Sequence, residues 1–263
     1  MESVEPIRIR VKRIVKPKPK EETPVVKETP VTKKRVRRES PVLNRFYNES
    51  NRFEIGIDEA GRGPLYGRVY VGAVILPKDH PEFHYEWMRD SKTIKSHKKI
   101  MEISEHIKTY AVAYSIQYAE AGEIDRINIL QAVMVLMHRC LDDICGQIGI
   151  KSDTDYQSTL ALVDGNYFKP YIKFDETSDT ILTMPHVTVE QGDGHYMSIA
   201  AASILAKCAR DEYMLEECER NPEWKDNYGF HTNMGYGTKK HMDGIQEHGM
   251  LPEHRRSFLK KFL

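Results

Sequence analysis

The sequence predicts an α/β domain, and three observations carry that expectation. Several short apolar runs read as buried strands, and two of them stop at an acid beside a glycine. Two long stretches carry apolar residues at helical spacing. Strands and helices also follow one another along the chain, which implies layers of helix on sheet.

The elements can be justified in order. Residues 54–57 read as a strand ending at Asp58 and Glu59, followed by Gly61-Arg62-Gly63 and a second strand over 69–76. The short glycine-rich connection favours an antiparallel hairpin. Residues 111–119, "AVAYSIQYA", show partial alternation and read as another strand. From Asp125 the apolar residues fall at 129, 130, 133, 134, 136, 137, 140, 141 and 144, which predicts one helix with a wide apolar face. Residues 160–163 form a buried run ending at Asp164 and Gly165, and "HVTVEQGDGH" gives a last strand before Gly192-Asp193-Gly194. A long helix is predicted from about Tyr196 to Glu217, with Ala200, Ala201 and Ala202 small enough to lie close on a sheet. "TKKHMDGIQEHG" and "PEHRRSFLKKFL" read as one or two short helices, and no internal repeat is visible.

The chain has 263 residues with 39 basic and 39 acidic side chains, yet the charges are segregated. Residues 1–45 hold 14 Lys/Arg against 6 Asp/Glu, so a segment of net +8 precedes a body of net −8. This segment is rich in Pro, Lys, Arg, Glu, Val and Thr, has no aromatic residue, and shows no sustained period. It lacks the apolar surface needed to offset ordering and is expected to be disordered. Its "KKRVRR" reads as a patch for polyanions, the alternative being a solvated linker with no partner. Residues 46–263 are expected to fold as one domain, with a C-terminal helical region over about 222–263. No secretory signal is expected, and "VYVGAVIL" falls far short of the roughly 20 apolar residues of a membrane span, so no membrane partner is expected. Cys140, Cys145, Cys208 and Cys218 form no CxxC pair and fall in helical patterns. They suit a reducing intracellular compartment, cytoplasm or nucleus.

Asp58, Asp164 and Asp193 each follow an apolar run and neighbour a glycine or another acid. Side chains at strand ends of an α/β sheet converge on the crevice where ligands bind. Carboxylates gathered there repel one another and raise their own pKa values. A divalent cation such as Mg²⁺ removes that repulsion. The bland alternative is a turn or cap residue, with Asp193 as a cap for the following helix. Asp142, Asp143, Glu216 and Glu217 read as solvated helix faces. Clustered acids support metal-assisted hydrolysis of a phosphodiester, for which a nucleic acid is the natural substrate. No GxxxxGK[ST], HExxH or GxSxG is present, and the histidines show no ligand spacing.

"GIDEAGRGPL", "DSKTI", "VDGN", "GD" followed by "SIAAASILAK", "GYGT" and "HRRSF" occur in an order that resembles the ribonuclease HII family, the type 2 ribonucleases H, from about Phe53 to Phe258. The resemblance implies a ribonuclease H-like three-layer fold, with a mixed central sheet flanked by helices. It implies hydrolysis of RNA in RNA/DNA hybrids and incision 5′ of single ribonucleotides embedded in duplex DNA, giving 3′-hydroxyl and 5′-phosphate ends. The family's metal-binding acids fall on Asp58, Glu59, Asp164 and Asp193, with Mg²⁺ or Mn²⁺ at a two-ion site. Adjacent strand residues point to opposite faces, so the strand must end or twist if Asp58 and Glu59 are both to reach the metals.

By the same resemblance, Gly61, Arg62 and Gly63 meet the 2′-hydroxyl of the ribonucleotide, and Tyr236 in "GYGT" stacks beside the following sugar. Lys92, Ser203 and Lys207 resemble the family's contacts to the substrate backbone. Departures stand at Tyr66 and Arg68, where the family has small or apolar residues, and at His195, where it has a lysine. "KPYIKFDETSDTILTMP" is longer than the simplest members have. The chain is expected to be a monomer. A second reading is a hybrid-binding subunit that needs partner subunits for activity.

Overall fold

The structure, a computed structural model, describes residues 42–94, 96–176 and 179–260. The basic segment therefore lies outside it except for residues 42–45. Strands β1 (Phe53–Ala60), β2 (Val69–Ile75), β3 (Ala113–Ala119) and β4 (Thr159–Asp164) precede a separate hairpin of β5 (Ile172–Asp175) and β6 (Thr180–Thr183); β7 (His186–Val189) follows. The main sheet runs β3–β2–β1–β4–β7, antiparallel from β3 to β1 and parallel from β1 to β7. The expected antiparallel hairpin of the first two strands is present. Every residue of β2 is buried, which is why that strand reads as an unbroken apolar run rather than an alternation.

Helices α1 (His97–Tyr110), α2 (Ala121–Ile127), α3 (Ile129–Ile148), α4 (Asp153–Gln157) and α5 (Met197–Arg220) are followed by four short ones, α6 (Trp224–Asn227), α7 (Phe230–Asn233), α8 (Lys239–His248) and α9 (Arg256–Leu259). On one face of the sheet, Val133, Met137, Leu141 and Ile144 of α3 pack on Ile55, Ile57, Val71 and Ala73. Truncating one such residue, Leu141→Ala, would cost about 2–5 kcal/mol. On the other face, α5 and α1 enclose a second core around Ala200, Ile204, Ile103 and Val74. The predicted alanine run does lie close on the sheet. A Cβ on Gly56 would stand 2.1 Å from the Ser198 carbonyl carbon, and one on Gly72 would stand 2.5 Å from the Ala202 carbonyl oxygen. The result is the expected three-layer α/β fold.

Two predicted boundaries change. The helical pattern from Asp125 is two helices, broken at Asn128, whose φ is 66° and whose side chain accepts from the Gln131 amide at the start of α3. The first strand does not stop at Asp58. It continues to Ala60 because β2 keeps pairing with it, Asp58 opposite Gly72 and Glu59 opposite Val71.

The C-terminal region contains more short helices than the pattern suggested, and α1 and the β5–β6 hairpin were not anticipated. All four cysteines are buried and free, in α3 and α5 as expected. No helix among the described residues is long and apolar enough to cross a membrane.

Candidate active site

The site forms where β1 outruns its parallel neighbour. The β1–β4 ladder ends at Ile57 opposite Val163, so Asp58 and Asp164 are the next residues on adjacent parallel strands. Ile55 and Ile57 face α3, so alternation turns Asp58 towards α5; Leu162 packs on Ile199, so Asp164 turns the same way. Glu59 extends from the overhang of β1, past the end of that ladder. This accounts for both adjacent acids reaching one site without the strand ending between them. Asp193 arrives on the single helical turn Gly192–Gly194 before α5, and it caps no helix: Tyr196 is the N-cap residue of α5.

All four acids line or adjoin one cavity of about 340 Å³, shared with Gly61, Lys92, Ser203, Lys207 and Tyr236. The structure thus gathers almost every site residue expected from sequence. Arg62 and Gly63 are exposed on its rim. Gly61 has φ +91°, and a Cβ there would lie 2.4 Å from Arg210 Nε, so this position requires glycine. A Cβ on Gly63 would stand 3.4 Å from the Tyr236 ring, so loop and tyrosine are in contact.

The electrostatics are those of buried acids whose repulsion is only partly relieved. Asp58 is 5% exposed, and burial, then the charges of Glu59 and Asp164, hold its carboxyl well above the usual range. The Glu59 amide donates to it at 2.7 Å. Burial also raises Glu59, opposed by its ion pair with Arg62 at 3.0 Å. Asp164 is raised by burial and by Asp193, although the Gly192 amide donates to it at 2.6 Å. Asp193 pairs with Lys92 at 3.2 Å, and Lys207 with Asp211 at 2.6 Å. The Ser203 and Ser91 hydroxyls are bonded at 3.1 Å.

Buried, mutually repelling oxygen donors fit a hard divalent cation. Among the described residues no three such side chains already surround one point, since Asp193 and Glu59 are turned to Lys92 and Arg62.

Two departures from the family pattern face away from the cavity. Tyr66 is wholly buried against Phe230 and Trp224 and donates to Glu217 at 3.0 Å, so Glu217 is more than a solvated face. Arg68 pairs with Glu120 at 2.7 Å and lies over the rings of Tyr118 and Tyr213. His195 is exposed, and its carbonyl accepts from the Asn44 amide. Sequence reading missed Arg210, which lines the cavity, stands 5.6 Å over the Tyr236 ring and donates to the Met234 carbonyl. Its available signal was position: Lys207, Arg210 and Asp211 share one face of α5.

Comparison with known proteins agrees with this geometry. The family model for ribonuclease HII matches residues 55–261. Ribonuclease HII of Parabacteroides distasonis is 42% identical over 212 residues, covering 81% of this chain and 92% of that protein. That of Neisseria meningitidis serogroup A is 38% identical over 203 residues, covering 77% and 90%. Among solved structures, RNase HII of Archaeoglobus fulgidus in its complex with PCNA superposes with a TM-score of 0.56 at 20% identity, covering 80% of this chain and 94% of that one. Ribonuclease H2 of Pyrococcus horikoshii gives 0.56 at 19%, covering 80% and 98%. At these identities the structures speak for the fold, and the curated relatives for the family. The chain belongs to the ribonuclease HII family and is a type 2 ribonuclease H.

Proposed function

We propose that this enzyme, beyond acting on RNA/DNA, incises duplex DNA on the 5′ side of a single embedded ribonucleotide, leaving a 3′-hydroxyl and a 5′-phosphate. One observation carries the reading: the Gly61–Gly63 loop and Tyr236 touch each other on the rim of the cavity that Asp58, Glu59 and Asp164 line and Asp193 adjoins. A 2′-hydroxyl is what separates RNA from DNA at a given site. The loop offers it backbone donors, because the Arg62 and Gly63 amides have no partner among the described residues. Tyr236 is 48% exposed and presents a ring face on which a sugar or base can stack.

Asp58, Glu59, Asp164 and Asp193 would hold the divalent ions, Mg²⁺ or Mn²⁺; a related RNase HIII was solved in complex with Mn²⁺. When bound, such ions supply an activated water and stabilise the leaving oxygen. Lys92, whose side chain is 79% exposed, is free to turn from Asp193 to a substrate phosphate. Lys207 and Ser203 line the same wall and would steady the strand beside the cut.

The test uses the purified chain alone, with Mg²⁺ or Mn²⁺, and two end-labelled duplexes. One carries a single ribonucleotide in DNA, the other a continuous RNA strand on DNA. Cutting 5′ of the lone ribonucleotide supports the proposal. Cutting of the continuous hybrid alone contradicts the junction-reading role, and silence on both would favour a subunit that needs partners.

A further inference from the structure

The "HRRSF" segment has no role in the chemistry above, yet Arg255 is 0% exposed. Among the described residues it forms no ion pair. Its guanidinium donates instead to four main-chain carbonyls: Gly67 (2.9 Å) from Nε, Arg62 (3.1 Å) and Pro64 (3.0 Å) from one terminal nitrogen, and Gly61 (2.8 Å) from the other. The guanidinium carbon also stands 5.3 Å over the Phe258 ring. A buried cation with no carboxylate partner is costly unless nearly every donor is used, and here four of five are. In a trans peptide the N–H points opposite to the C=O. Turning the Gly61 and Arg62 carbonyls inward therefore turns the next amides, those of Arg62 and Gly63, outward. Neither of these amides has a partner among the described residues.

The residues just before Arg255 reach the other half of the rim. The Leu251 amide can only donate, so His254 accepts it on Nδ1 at 2.7 Å, closer than the Leu251 carbonyl at 3.3 Å. The His254 proton then sits on Nε2 and is donated to His241 Nε2 at 2.9 Å. His241 keeps its proton on Nδ1 and donates it to the Tyr236 carbonyl at 3.0 Å. Backbone bonds close the frame: Gly67 N to Glu253 O (2.9 Å), Arg255 N to Leu65 O (2.8 Å) and Leu65 N to Gly235 O (2.9 Å).

We infer that residues 251–255 are a positioning element that fixes the ribose-reading loop and Tyr236 as one unit, with Arg255 setting which loop amides face the substrate. This rests on the reading that loop and tyrosine meet the ribonucleotide. Arg255 touches no substrate and acts only through the loop. Burial and the neighbouring Arg210 lower its pKa to about 9, so it remains a cation at neutral pH.

The test measures affinity for two labelled duplexes of one sequence, with and without a single ribonucleotide, using Ca²⁺ to suppress cleavage. The wild type should prefer the ribonucleotide. Arg255→Lys offers three donors to four carbonyls and should cut that preference about tenfold, leaving the affinity for all-DNA duplex unchanged. A preference that survives in Arg255→Lys overturns the inference. A wild type with no preference refutes the ribose-reading role itself, and this inference with it. Should Arg255→Lys not fold, His254→Phe keeps the ring packing against Tyr66 and severs the chain to Tyr236. It should lower the preference several-fold, and an unchanged value there also overturns the inference.

Discussion

At the open end of β1 and β4, Asp58, Glu59 and Asp164 are raised by burial and by neighbouring acids, and two of the four acids are turned to exposed cations. About the glycine loop's inner side the reverse holds. Arg255 and the His254–His241 pair are as deeply buried, but nearly every donor there has an acceptor. The contrast separates two duties. A cluster that receives cations must hold charges that the protein itself does not neutralise, and it carries that cost in stability. A segment that aims a recognition loop works by leaving few of its buried donors unsatisfied.

Mutations should therefore change sign between the two regions. The largest effect is expected for Asp58→Asn, which removes a metal-ligand charge and relieves a buried repulsion. Cleavage in Mg²⁺ should fall about 10³-fold while the melting temperature rises by a few degrees. A variant that is inactive because it is unstable would contradict the contrast.

Next comes pH. Burial, then the neighbouring His241, lower the folded-state pKa of His254 to about 4 from an ordinary 6.5. The unfolded chain then binds more protons between these values, so this contribution is whole above pH 6.5 and lost as pH falls towards 4. It amounts to roughly 3 kcal/mol. Denaturant titrations at pH 7 and 5 should show the loss in wild type and a smaller one in His254→Phe.

Gly61→Ala places a side chain at φ +91° and against Arg210, which should cost about 2 kcal/mol in the same titration and lower cleavage with it. Tyr236→Ala should reduce incision at a lone ribonucleotide about tenfold, a stacking-sized loss, with little change in melting because the ring is half exposed. Lys92→Ala should be the mildest, a few-fold rise in KM that shrinks further at high salt, since the lysine side chain is 79% exposed.

Much of this site was readable in the sequence, and the misses have a common cause. Periodicity exposed the strands and the two long helices, because their apolar faces are continuous. The acids and the glycine loop were visible because chemistry forces particular residues into adjacent positions. Arg255 was not, since its acceptors lie 188 to 194 residues away and a buried arginine is spelled like a surface one. Tyr66 and Arg68 lie near the loop in sequence yet point into an aromatic cluster behind it, which their place in the chain does not reveal. The break at Asn128 carries no proline or glycine, and the β5–β6 hairpin is too short and exposed to show a core face.

The most direct test of the central claim, that the loop and Tyr236 read a single ribose for the four acids to act beside it, uses one end-labelled DNA duplex with a lone ribonucleotide. Its control carries a 2′-fluoro nucleotide at the same position. The account predicts a single cut 5′ of the ribonucleotide and none in the control. Equal cutting of both, or cutting away from that position, would contradict it.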